Sequence, residues 1–202
     1  MSLYQDKYRI ESTRLRNWNY ASNGHYFITI CTKNRKCFFG KILDNKMILS
    51  EIGKFAYKYW QEIPNHFPFA QLDKFVIMPN HVHGIILIKN DDNLFHRDAI
   101  NRVSTTKTNV ITQNKNYIPG ISGIHGGITG KNNPMFYKSI SKIIRWYKGR
   151  CTFEINHIAS HFQWQPRFYD HVIQNKQDLN RIQQYIQNNP RKWRNDGFYT
   201  LK

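Results

Sequence analysis

A chain of 202 residues, 40% hydrophobic and 15% aromatic, carries enough apolar material for one sizeable core, which excludes wholesale disorder and fits one domain with at most an appendage. Its 30 lysines and arginines against 13 aspartates and glutamates leave a formal net charge of +17, a balance that concerns partners rather than fold and points first to nucleic acid, the commonest polyanion. The odd set Cys31, Cys37 and Cys151, without CxxC spacing, excludes a disulfide framework and a four-cysteine zinc site and fits a reducing cytoplasm; the polar start is no signal peptide, and apolar runs such as Gly84–Ile88 are too short to span a bilayer.

Along the chain, residues 1–20 form a polar, basic arm with Arg9, Arg14 and Arg16. The β-branched and aromatic run His25–Thr32 predicts a strand, followed by a basic turn, Lys33–Lys36. Lys46–Leu49 is a short strand candidate. Ser50 caps a helix over Glu51–Glu62, whose apolar positions Ile52, Phe55, Ala56, Tyr59 and Trp60 recur at helical spacing and which Pro64 stops. Gln71–Met78 and Val82–Ile88 predict two more strands, with Pro79-Asn80 marking a hairpin or a bend between them. Residues 90–135 turn rich in Asn, Thr, Lys and Gly and read as a flexible insertion. A helix over Ser139–Arg150 aligns Ile140, Ile143, Ile144, Tyr147 and Cys151 on one face; His161–Val172 is strand-like or irregular; Asp178–Gln187 is a last helix before Pro190. Strand, helix, two strands and helix, followed by an extension over 156–202, make an α+β domain at 21–155 with helices on one face of an antiparallel sheet.

Chemistry concentrates in Ile77-Met-Pro-Asn-His-Val-His-Gly-Ile85. Alternate side chains of a strand share a face, so His81 and His83 point one way and Val82 the other. Two imidazoles on one face can hold one divalent cation and leave positions for water, a third ligand and a phosphate oxygen. A bare His-x-His is also compatible with two histidines that merely occupy a half-buried strand.

The run Met78–Ile85 resembles the signature of the single-tyrosine HUH transposases of bacterial insertion sequences, in which two histidines flank a bulky hydrophobe. The early strand Tyr26–Thr32 and a tail with Trp164-Gln, Phe168–Ile173, Ile182, Tyr185-Ile186, Asn189-Pro190 and Trp193 are also similar, the tail most to the REP-associated tyrosine transposases. The resemblance covers about residues 10–90 and 135–195. It implies a ferredoxin-like antiparallel sheet with a C-terminal helical extension. It also implies Mg²⁺ or Mn²⁺ on His81 and His83, and cleavage and rejoining of single-stranded, hairpin-containing DNA through a 5′-phosphotyrosine.

The family places its tyrosine on a helix after the histidine strand, facing the metal. By position this selects Tyr147, with Tyr169 the runner-up and Tyr137 third; packing on the apolar face is the competing role for Tyr147. Relatives often carry Gln or Asn one turn after the tyrosine as a third ligand, whereas i+4 from Tyr147 is Cys151, a soft donor poorly suited to Mg²⁺. That departure keeps open a DNA-binding protein that has the fold and lacks the chemistry. An RNA-binding sheet is a further alternative, although the aromatic motif such sheets carry is absent. Arg14, Arg16, Lys33, Arg35, Lys36, Lys148 and Arg150 are expected to contact the DNA backbone. Trp146, Trp164 and Trp193 stack on bases or belong to the core, and His157, His161 and His171 match no zinc spacing. Subunits are expected as monomer or homodimer, without a membrane.

Overall fold

The computed structural model describes residues 18, 20, 22–89 and 138–199. Arg9, Arg14, Arg16, Tyr137 and the 90–135 segment lie outside these residues.

In chain order the elements are β1 (Gly24–Cys31), β2 (Gly40–Leu43), β3 (Lys46–Leu49), α1 (Glu51–Gln61), α2 (Ile63–His66), β4 (Ala70–Ile77), β5 (His81–Ile88), α3 (Ile140–Asn156), β6 (Tyr169–Ile173) and α4 (Lys176–Asn188). Short 3₁₀ turns occupy Lys33–Arg35 and Pro190–Asn195. Four strands form one antiparallel sheet in the order β4-β5-β1-β6, while β2 and β3 pair separately as a hairpin. With the hairpin set aside, β1-α1-β4-β5-α3-β6 is the ferredoxin-like arrangement, so the expected α+β class holds. The segment after residue 155 is more than an extension: β6 pairs with β1 and supplies the sheet's fourth strand.

Local chemistry explains the boundaries. Ser50 accepts from Gly53 N–H at 3.1 Å and starts α1; Asn175 does the same for Asp178 N–H at 2.8 Å and starts α4. Pro64 does not simply end a helix, since it sits at the start of α2, where a missing N–H costs nothing. Asp44 and Asn45, with φ of 49° and 61°, make the tight turn between β2 and β3, a strand pair whose first member the sequence pattern does not announce.

The two faces of the sheet are covered differently. Tyr26, Ile28 and Ile30 of β1 and Val82, Ile86 and Ile88 of β5 point to the face covered by α1 and α3. Gly84 points the same way, and a Cβ there would fall 2.2 Å from Cζ2 of Trp60, so the glycine lets the α1 indole lie directly on the strand. Phe27, Ile85 and Ile173 point to the other face, where Ile182 and Ile186 of α4 cover them. Helices therefore cover both faces: α1 and α3 on one as expected, α4 on the second.

Candidate active site

β4 and β5 are joined by a tight turn in which Met78 N–H donates to His81 O at 2.8 Å, placing His81 at the first position of β5. Strand alternation then sends His81 and His83 to the α4 face, their ring centroids 4.4 Å apart. Both are buried, at 0% and 1% exposure.

Hydrogen bonds orient each ring. Asn80 donates its amide N–H groups to Arg35 O at 3.0 Å and Phe198 O at 2.8 Å, which leaves Asn80 Oδ1 as an acceptor for His81 Nδ1–H at 2.8 Å. His83 Nδ1 lies 2.8 Å from Thr29 Oγ1. With both Nδ1 atoms engaged by residues beneath them, the Nε2 lone pairs are the ones available to a cation. His81 Nε2 is buried without a hydrogen-bond partner, an unusual state for a polar atom and the one expected of a ligand position.

His83 Nε2 is occupied. Tyr185 Oη of α4 lies within hydrogen-bond distance of it, at 3.1 Å. The α4 spacing explains this placement: Ile182, Tyr185, Ile186 and Asn189 fall three and four residues apart, so the stripe that seats α4 on Phe27 and Ile85 also brings Tyr185 to His83, with Asn189 one turn further on. Tyr185 is 41% exposed, its ring 5.2 Å from His83 and 6.1 Å from Phe27. Burial, then the Asp196 charge, raises its pKa, while the Asn189 side chain beside it pulls the other way. Asn189 is buried and its Oδ1 has no partner. Asp196 places a carboxylate within 4.8 Å of both histidine ligand atoms, so His81, His83 and Asp196 can hold a metal ion. The ring of Phe198 closes the arrangement, 4.6 Å from His81 and 5.8 Å from His83, with Arg35 against its face.

Tyr147 is elsewhere. It lies on the opposite face of the sheet, fully buried among Trp60 and Trp164, with its hydroxyl donating to Ala56 O at 3.0 Å. Cys151 lies one turn further into the same core, so its identity does not bear on the histidine pair. The reason is the alternation of β5: α3 packs over Val82 and Ile86, not over the histidines. Tyr147→Phe is therefore expected to cost about 1 kcal/mol for the lost hydrogen bond and to leave the histidine face undisturbed, as denaturant melts beside the unsubstituted protein would show.

Among the expected cations, Lys33, Arg35 and Lys36 are exposed beside the site, the turn being held by Thr32 N–H on Asn80 O at 2.9 Å. Arg35 also donates to Gly197 O at 2.7 Å. Lys148 clips two carbonyls, Gln165 O at 2.7 Å and Arg167 O at 3.1 Å, and Arg150 pairs with Glu154 at 3.0 Å. Trp193 packs 6.0 Å from His81, whereas Trp164 belongs to the α3 core and Trp146 stacks on His66. His171 is bound to Asp178 at 2.8 Å, and His157 and His161 belong to no metal-ligating group among the described residues.

Burial holds the His83 pKa down at about 3, and burial, then His83 and Arg35, hold His81 well below the ordinary histidine value of 6.5. Below pH 6.5 the unfolded chain takes up protons on these rings that the folded chain refuses. Stability is thus fully present above pH 6.5 and falls as pH drops toward 3, by on the order of 1 kcal/mol per pH unit for His83, with His81 acting in the same direction. Denaturant melts from pH 7 to 5 test this, and replacing both rings by Gln should flatten the slope.

No protein-family model matches the chain. A Haemophilus influenzae protein described only as uncharacterized is 35% identical over 191 residues, which cover 93% of this chain and 92% of that one. The chain belongs to that protein's family. Among solved structures, a REP-associated tyrosine transposase bound to a REP hairpin superimposes with a TM-score of 0.54 at 18% identity, over 92% of this chain and 76% of that one. The chain has the fold of that transposase, as the resemblance of the histidine strand implies. Among the described residues no helix is long and apolar enough to cross a membrane.

Proposed function

We propose that the protein cuts and rejoins single-stranded, hairpin-containing DNA in transposase fashion, with Tyr185 rather than Tyr147 as the nucleophile. The observation that carries this reading is the Tyr185 hydroxyl 3.1 Å from His83 Nε2, on the face where both histidines present free or exchangeable Nε2 lone pairs. Asn189 follows Tyr185 by one turn, the place where the resembled family often has its third ligand, and its unpartnered Oδ1 suits that use.

His81, His83 and the Asp196 carboxylate form a nitrogen and oxygen donor set for one divalent cation, with the Asn189 amide oxygen an alternative ligand, and Mg²⁺ or Mn²⁺ is the ion that the family resemblance implies. When bound, the cation polarises the scissile phosphate and stabilises charge developing on it. Tyr185 Oη attacks phosphorus; the bond from phosphorus to the 3′-oxygen breaks; the phenolic proton leaves to solvent and the departing 3′-oxygen takes one up. The products are a 5′-phosphotyrosine and a 3′-hydroxyl, and the reverse attack rejoins the strand without an energy source. Lys33, Arg35 and Lys36 would hold the strand's phosphates at the rim. Because His83, Thr29, Tyr185 and Asn189 all come from one chain, a monomer suffices.

Phe198 covers His81, so DNA has to displace that ring before a phosphate reaches the pair. The same cover favours a second reading, a DNA-binding protein whose site stays shut. Incubating a labelled single-stranded hairpin with the protein and Mg²⁺ or Mn²⁺, followed by denaturing electrophoresis, separates the two. A covalent protein–DNA band supports cleavage; hairpin binding without any such band supports the binding protein.

A further inference from the structure

On the histidine face the outer strand β6 carries one large ring that the core leaves open. Tyr169 is 46% exposed, although it stands in register with Thr29, which stands in register with His83. The three residues therefore make a row across β6, β1 and β5 with their side chains on one face, and two strand spacings put Tyr169 about 10 Å from His83 along the sheet. Phe27 links the row: it stacks on His83 at 5.4 Å and meets the rings of both Tyr169, at 6.3 Å, and Tyr185, at 6.1 Å, edge-on. Tyr169 is thus oriented from beneath by Phe27 while much of its surface faces outward.

Cations sit on the segment that leads into this strand. Arg167, two residues before it, is exposed and sits in a left-handed turn with φ of 66°, and Lys148 Nζ holds its carbonyl at 3.1 Å. Lys33 is tied to the same connecting segment through Gln163 Oε1 at 2.6 Å. An oriented, outward-facing ring with cations on the adjoining segment is what single-strand binding surfaces use, the ring taking a base and the cations the backbone.

We infer that Tyr169 is a stacking platform for the base adjoining the scissile phosphate, with Arg167 on that nucleotide's backbone, so that Tyr169 positions the strand that Tyr185 attacks. This rests on the proposed cleavage reading and adds a positioning residue to it.

The test uses the full chain carrying Tyr185→Phe and a DNA hairpin with unpaired flanks, in which 2-aminopurine replaces one flank base at a time. Stacking should quench the fluorophore strongly at one position, next to the cleavage point mapped with the unsubstituted protein. Adding Tyr169→Leu should abolish that quench and weaken binding of the flanked hairpin by roughly 10-fold, leaving binding of a bare hairpin unchanged. Tyr169→Phe, which keeps the ring, should restore both. An undiminished quench in Tyr169→Leu overturns the inference, as does Tyr169→Phe behaving like Leu. If the unsubstituted protein forms no adduct with either metal while the quench still depends on Tyr169, the cleavage reading falls and the platform stands as a single-strand binding site.

Discussion

Tyr185→Phe is expected to abolish the covalent DNA adduct and to lower strand cleavage by roughly 10³-fold or more, the scale seen when a nucleophile is removed. The substitution deletes one hydroxyl and keeps the ring that packs on His83 and Phe27. The lost contact to His83 Nε2 is partly exposed, so folding stability should change by about 1 kcal/mol or less. Hairpin affinity should hold, because phosphate contacts by exposed cations dominate it. The distinguishing feature is the contrast with Tyr147→Phe, which removes a buried hydrogen bond on the other face of the sheet and should keep the adduct. Adduct formation by Tyr185→Phe at the unsubstituted rate would remove Tyr185 from the chemistry.

The second large effect concerns the histidines. His81→Gln or His83→Gln should eliminate cleavage with Mg²⁺ or Mn²⁺ while changing hairpin affinity by no more than about 3-fold at fixed salt. Gln is preferred to Ala because Thr29 and Asn80 would otherwise lose their buried partners, a loss of about 1–3 kcal/mol that would confuse activity with folding. The slope of affinity against salt should also be unchanged, since neither ring contacts phosphate without a cation. Full cleavage by the double substitution with Mn²⁺ present would sink the metal role.

The histidine pair was legible because period-two alternation places both rings on one face whatever surrounds them. The core of α3 was legible for a similar reason: Ile140, Ile143, Ile144, Tyr147 and Cys151 share a helical stripe. What the pattern of one element does not reveal is which face of the sheet a helix covers. Tyr147 follows the histidine strand in sequence, yet α3 lies over Val82 and Ile86, which alternation sends away from His81 and His83. The signal for Tyr185 was present in α4, whose stripe Ile182, Tyr185, Ile186 and Asn189 mixes two apolar anchors with a tyrosine and an amide one turn apart. In a segment that reads as an extension, such a stripe does not declare which face of the sheet it will cover. β6 was hard to see because five residues, Tyr-Asp-His-Val-Ile, form a strand only through pairing with β1, a contact remote in sequence. Asp196 and Phe198 reach the site through the turn after Pro190, for which no periodicity exists to read.

Mapping the adduct tests the central claim most directly. The unsubstituted protein, incubated with a single-stranded hairpin and Mn²⁺, would be digested with nuclease and trypsin and its peptides analysed by mass spectrometry. Trypsin separates the three tyrosines into Trp146–Lys148, Phe168–Lys176 and Ile182–Arg191. The nucleotide is expected on Ile182–Arg191, at Tyr185. A nucleotide on Trp146–Lys148 or Phe168–Lys176 would contradict the assignment of Tyr185 as the nucleophile.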